Sequence, residues 1–227
     1  MSLMRYESEM TGPLISFLLN ELYLDAVEEE FSAGYGIADI VGIKCNRQKL
    51  ESRLEANIKE PVTNIRELTL LNILQKQESF TVNVLAKQIG LSVSYIKKVL
   101  LKSLVIKGYV EREGDRYTLI KDIFSYTDLV VSIEAKLKKW RDALGQARRY
   151  QHFSNIVFVA LPENIVKNID RQLFRKNNVG VLSVTDHSVS IELKPQRMKP
   201  KTFTMYLYCN EFFLKKQRIR ENESPGP

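Results

Sequence analysis

In the stretch SIEAKLKKW, Glu134 and Lys136 stand two residues apart on an extended run. Successive side chains of a strand point to opposite faces. Val131, Ile133 and Ala135 are therefore expected to face a core while Ser132, Glu134 and Lys136 share the other face. An acid and a base held side by side there form either a surface ion pair, which contributes little, or the metal ligand and the cation of a hydrolytic site. Hydrolysing a phosphodiester calls for a metal ion that activates water and offsets the charge building on the phosphate, with a cation nearby. Hard divalent ions take carboxylate and carbonyl oxygens. Asp39, in GYGIADIVGIK on an earlier strand-like run, is a second carboxylate for such a site.

Other chemistries find little support. The chain has two cysteines, Cys45 and Cys209, and two histidines, His152 and His187, too few for a disulfide framework or a Cys/His zinc cluster. A metal, if one is bound, is held by oxygen. Neither histidine has a nucleophile to serve, and no G-x-S-x-G or phosphate-cradling glycine loop occurs, against a serine hydrolase or a P-loop NTPase. The net charge is +7 and the pI near 9.3, which favours an anionic partner, nucleic acid before a membrane surface. Gln196 to Arg220 holds seven Lys or Arg against one acid, Glu211, a solvated tail or a phosphate-holding one. The apolar run Leu14 to Leu24 is broken by Ser16, Asn20 and Glu21, too short and polar for a membrane span, and with no signal peptide a cytoplasmic location is expected.

The elements that must position these residues follow from periodicity. Glu7 to Tyr23 carries a helical stripe at Leu14, Phe17, Leu18 and Leu22, and two strand-like runs, Asp25 to Phe31 and Tyr35 to Lys44, hinge at Gly34 and Gly36. Asn46 to Lys59 is polar and charged. After Pro61 a run of compact helices extends from about Thr63 to Lys121 and ends in a short charged hairpin. Strand texture returns at Leu129 to Leu137, followed by a helix from Lys138 to Phe153, with Trp140 packing the junction. The uninterrupted apolar run IVFVALP, Ile156 to Pro162, suits a strand covered on both faces in a mixed sheet with flanking helices. A helix (Glu163 to Lys176), two short strands (Val179 to Val184, Val189 to Leu193) and a helical stretch near Thr204 to Arg218 complete an α/β chain.

In the middle module, the spacing Ala86, Gly90, Ile96 is what a helix-turn-helix needs: a small residue for close approach, a glycine for the positive-φ corner, and a β-branched residue packing the second helix on the first. The second helix ends at Gly108-Tyr109, and YVEREGDRYTLI supplies two strands. Together these resemble the winged-helix family over roughly 60 residues. The resemblance implies DNA contacts from Ser92, Ser94, Tyr95, Lys97, Lys98 and Lys102 on the recognition helix and from Arg112 and Arg116 in the wing. The alternative use of such a module is dimerisation or spacing.

The order helix acid, hairpin Asp39, then Glu134-Ala135-Lys136 on the next strand resembles the PD-(D/E)xK nuclease superfamily, over Glu7 to about Leu161 apart from the insert. The resemblance implies that Asp39 and Glu134, with the Ala135 carbonyl, coordinate Mg²⁺ or Mn²⁺. Lys136 then positions or polarises the attacking water, and Glu7 binds metal directly or through water, with Glu9 second to it. In GQARRY, Gln146 and Tyr150 stand four apart on one helix face and resemble the glutamine-tyrosine motif of the RecB-like branch. Asp39 and Glu134 are 95 residues apart, more than the family's usual spacing, and the insert accounts for the excess. Ile37-Ala38 stands where the family has proline. A second E-x-K, Glu192 and Lys194 in IELKP, is followed by Pro195 and Pro200, which prevent an immediate helix, and by no such glutamine-tyrosine pair.

The expected organisation is a restriction-endonuclease-like core (4–59 and 124–220) with a central mixed sheet flanked by helices, interrupted by a winged-helix domain (60–123) and ending in a disordered tail (221–227). Met1-Ser2-Leu3 reads as a cloning remnant. The expected activity is metal-dependent hydrolysis of DNA phosphodiesters, with homodimerisation added by family analogy. The rival expectations are a non-catalytic DNA-binding regulator on a nuclease-like scaffold and an RNA-directed nuclease.

Overall fold

The computed structural model describes residues 6–32, 34, 36–55, 60–76, 80–120 and 125–223, with 217–223 by backbone alone. A 3-10 turn (Glu7–Met10) leads into α1 (Thr11–Ser16), which widens into a π-helical turn (Phe17–Glu21). β1 (Ala26–Ser32) and β2 (Ile37–Cys45) pair as an antiparallel hairpin. Next come α2 (Arg47–Glu55), α3 (Ile65–Leu74), β3 (Phe80–Thr81) and α4 (Val82–Ile89). One continuous helical segment follows, made of α5 (Val93–Tyr95), a π-helical stretch (Ile96–Leu101) and α6 (Lys102–Ile106). After the hairpin β4 (Val110–Glu113) and β5 (Arg116–Leu119) come β6 (Thr127–Ala135), α7 (Trp140–Tyr150) and β7 (Ile156–Pro162). The chain closes with α8 (Glu163–Val166), α9 (Arg171–Lys176), β8 (Gly180–Val184), β9 (Val189–Leu193) and α10 (Phe203–Glu223).

These elements form two compact units, Met1–Asn46 with Thr127–Tyr206, and Arg47–Tyr126 with Leu207–Pro227. The first is an α/β unit around a six-stranded mixed sheet of order β1-β2-β6-β7-β8-β9. β6, β7 and β8 run parallel, and the outer pairings are antiparallel. Parallel neighbours need a crossover, which α7 supplies between β6 and β7 and the α8/α9 pair between β7 and β8. On one face Met10, Leu14, Phe17 and Leu18 pack on Ile40, Val131, Ile133 and Phe158. α7 covers the other face, where Phe153 meets Phe31 with ring centroids 5.2 Å apart. β6 is therefore buried on both sides, and Ser132 and Glu134 are as enclosed as Val131 and Ile133. The face that Ser132 and Glu134 share is enclosed as well, because the helix after the strand folds back over it.

The second unit wraps Leu68, Leu71, Leu85, Ile96, Leu100 and Tyr117 into its own core, beside a three-stranded sheet of order β3-β5-β4. Gly90 ends α4 in the left-handed region (φ 73°), a conformation that costs glycine little, and its N–H donates to the Ala86 carbonyl. Ser92 starts the next helix by accepting from Tyr95 N at 3.3 Å.

The expected boundaries at 59/60 and 123/124 move to 46/47 and 126/127, and Leu207 onward leaves the first unit for the second. Polar 46–59 contains helix α2, because Arg53 is buried against a partner 158 residues away, Glu211 on α10. The expected single helix Glu163 to Lys176 is two, since Asp170 Oδ1 caps a new start by accepting from Gln172 N and Leu173 N. Of the expected tail, Glu221–Glu223 continue α10 and 224–227 lie outside the described residues. Among the described residues no helix is long and apolar enough to cross a membrane.

Candidate active site

β2 and β6 pair in register from Lys44↔Leu129 to Ile40↔Ile133, so the next step brings Asp39 and Glu134 side by side at the C-terminal end of β6. There Asp39 Oδ2 accepts from the Ala135 N–H at 2.7 Å. Glu134 is 2% exposed, with Oε1 3.1 Å from Lys136 Nζ and Oε2 2.5 Å from the Tyr150 hydroxyl. Lys136 is held at its backbone by the Ala160 carbonyl (3.0 Å), and its Nζ also lies 3.4 Å from Glu7 Oε2. Asp39, Glu134, Lys136, Tyr150 and Glu7 thus come together although they are scattered along the chain.

The Tyr150 hydroxyl carries one proton but touches two oxygens, Glu134 Oε2 and the Ile37 carbonyl at 2.6 Å. A carbonyl only accepts. The hydroxyl is shared between them as donor and so ties Glu134 to the start of β2. Burial foremost, and then the charge of Asp39, raise the Glu134 pKa against the opposing hydrogen bonds of Tyr150 and Lys136. Burial also raises the Asp39 carboxyl, against the Ala135 N–H and Lys136. Burial disfavours the charged Lys136, yet Glu134, Asp39 and Glu7 outweigh it and raise its pKa. Burial thus raises both carboxyls, and the acids in turn raise the one amine they share.

Glu7 reaches the cluster from the 3-10 turn. Its Oε2 faces Lys136 and its Oε1 accepts from Leu137 N at 3.4 Å, on the open side of the cluster where its side chain is 48% exposed. Among the described residues no three of His, Cys, Asp or Glu gather to hold a metal ion. Two carboxylates and a strand-end carbonyl nevertheless suit a hard divalent cation in donor type. On the turn of α7 before Tyr150, the buried Oε1 of Gln146 has no partner, an acceptor that calls for a bound water or ligand.

Arg149 is a residue the sequence reading passed over. Its Nη2 lies 3.4 Å from where a Cβ on Gly36 would sit, and Gly36 has φ +119°, which excludes other residues. Tyr150 donates to the Ile37 carbonyl at the start of β2 while Arg149 lies beside Gly36, and the sequence signal for this is their adjacency in ARRY. The second E-x-K is engaged differently, with Glu192 paired to Arg171 at 2.9 Å on the surface. Trp140 does pack the junction, 5.8 Å from the Phe174 ring with the Arg141 guanidinium over it, and His152 meets Thr202 Oγ1 at 2.8 Å.

In the second unit Ser94, Lys97, Lys98, Lys102 and Arg116 are exposed. Tyr95 is half-buried beneath Arg66. Arg112 turns back into its own hairpin, donating from Nε to the Gly114 carbonyl at 2.9 Å and lying over the Tyr117 ring.

No family model matches the chain, and no curated protein does. A solved structure, the SPO1766 protein of unknown function from Silicibacter pomeroyi, matches over 43% of this chain and 67% of its own, at 16% identity and a TM-score of 0.31. A likeness that loose decides neither family nor activity.

Proposed function

We propose that the first unit is a metal-dependent phosphodiester hydrolase of the PD-(D/E)xK kind, with a restriction-endonuclease-like core acting on DNA, and that the second unit is an inserted winged helix supplying DNA affinity. The observation that carries this reading is the strand-end cluster, with Asp39 fastened to the Ala135 N–H and Glu134 beside Lys136. Asp39, Glu134 and the Ala135 carbonyl would hold Mg²⁺ or Mn²⁺, which when bound supplies an activated water and neutralises phosphate charge. Lys136, its pKa raised by three acids, serves as a fixed cation facing the charge that develops on the phosphate, and not as a base. Tyr150 orients Glu134, Glu7 orients Lys136, and Gln146 offers its unengaged oxygen to a water.

The full chain is expected to nick supercoiled plasmid DNA with Mg²⁺ or Mn²⁺ and not with a chelator. Glu134→Ala and Lys136→Ala are expected to abolish nicking while DNA binding persists. DNA binding by the wild type without metal-dependent cleavage of any duplex, single-stranded or RNA substrate overturns the hydrolase reading. That outcome favours a non-catalytic DNA-binding regulator, which draws on one observation, the engagement of Glu7 with Lys136 in place of a third acid at a metal site. Metal-dependent cleavage confined to RNA favours the RNA-directed nuclease.

A further inference from the structure

Within the second unit, Thr63, Asn64, Ile65, Arg66, Tyr95 and Tyr208 line a shallow, open depression of about 440 Å³. That volume falls in the range of about 300–1,000 Å³ typical of small-ligand sites. The Arg66 guanidinium lies over the Tyr95 ring, 5.5 Å from its centroid, and Nη1 donates to the Tyr95 hydroxyl at 3.2 Å. A planar cation and an aromatic ring are thus locked together at the wall, and Tyr208 contributes a second ring. The Asn64 side-chain oxygen is engaged, since it caps α3 by accepting from Arg66 N and Glu67 N, so the amide N–H₂ is what Asn64 offers the pocket. The residues beyond Tyr95 on the same helical segment include exposed Lys97, Lys98 and Lys102.

We propose that this pocket binds one unstacked nucleobase of a single-stranded or locally opened nucleic acid, with the backbone passing over the lysines of the adjoining helix. A duplex shows a protein the edges of its bases but hides their faces in the stack, so a planar cation backed by an aromatic ring serves a base that has left it. Stacking on a guanidinium plane that is backed by the Tyr95 ring is open to any base. The polar groups then discriminate. Arg66 and the Asn64 amide are donors, which match the carbonyl oxygens of thymine, uracil or guanine better than the amino edge of adenine. A site for a free phosphate would gather more than one cation at the wall, whereas Arg66 is the sole Lys or Arg among the lining residues.

The test is fluorescence anisotropy of the full chain with labelled oligothymidine, oligouridine and oligoadenosine single strands and with the matching duplex, in chelator so that cleavage plays no part. Oligothymidine is expected to bind more tightly than oligoadenosine and than the duplex. Tyr95→Leu is expected to weaken oligothymidine binding about tenfold, the loss of one base–aromatic stack, while Tyr95→Phe leaves it unchanged. Arg66→Gln is expected to erase the preference for thymidine over adenosine. Equal binding of oligouridine supports a pocket that reads the base and not the sugar. If Tyr95→Leu melts early by circular dichroism, Tyr208→Leu provides the same reading from the other ring. Duplex binding as tight as single-strand binding, or Tyr95→Leu matching the wild type, overturns the proposal. So does a loss of self-association in Tyr95→Leu with oligonucleotide binding intact, which assigns the pocket to a contact between copies. Because no metal is present, failure here leaves the nicking assay, and the hydrolase reading, to stand or fall separately.

Discussion

Two enclosed acid–base pairs in this protein are built to opposite specifications. Arg53 and Glu211 in the second unit are each 1% exposed, and Glu211 accepts from Arg53 Nε and Nη2 and from the Val62 N–H, with the Tyr109 hydroxyl also in contact. Among the described residues Arg53 Nη1 has no hydrogen-bond partner. In the first unit Glu134 is equally buried, but its partner Lys136 is 21% exposed and shared with Glu7, and the neighbouring Asp39 disfavours a second negative charge. The first pair is closed, its carboxylate fully engaged, and such a pair holds distant segments together. The second is open on one side, with both carboxyls raised by burial, the kind of perturbed cluster that marks a candidate functional site.

Substitutions should separate the two. Glu211→Ala leaves a charged guanidinium buried without its carboxylate, and urea unfolding should show a loss of about 3–5 kcal/mol. Recovery of most of that stability in an Arg53→Met/Glu211→Leu double variant would sharpen the contrast, since it would show that the pair contributes shape and little net energy. Lys136→Met should lower the metal-dependent nicking rate by about 10²–10³, the size of losing one charge-stabilising donor, with a smaller change in melting temperature. A large stability loss with nicking retained would instead make Lys136 structural, like Arg53.

Tyr150→Phe removes the hydroxyl between Glu134 and the Ile37 carbonyl and should cost about 1–3 kcal/mol, the penalty for an unsatisfied buried acceptor. Its nicking rate should fall as well, because Glu134 loses its orienting contact. Glu134→Gln should have the smallest effect on stability and the opposite sign. A carboxyl whose folded pKa is raised binds its proton more tightly in the native state, so its contribution is full below the unfolded value, near 4.5, and is lost as pH rises toward the folded value. The variant escapes that loss. Its melting temperature should gain on the wild type as pH climbs from about 4.5, and a constant difference across that window would remove burial of a reluctant carboxyl from the account.

Some of this was legible in residue types. The GIAD and SIEAK runs placed Asp39, Glu134 and Lys136 on strands, IVFVALP marked a strand covered on both faces, and Gly90 marked the corner between two helices. Each of those inferences uses a short-range rule. The contacts of Glu7 with Lys136 and the Leu137 N–H were not legible, because its identity as an acid says nothing about which neighbour it meets. Arg53 was lost in a charged stretch that resembles a linker, since the carboxylate that lets it be buried lies on the last helix.

Local steric preference and the period of apolar residues act within a few positions, so the sequence by itself determined the element types and the residues able to ligate, polarise or stack. Which carboxylate is buried, which amine is shared, and which carbonyl takes the Tyr150 proton depend on groups brought together from opposite ends of the chain. Only the tertiary structure decided those, because burial and charge act through space, and pairing partners such as Arg53 and Glu211 are 158 residues apart along it.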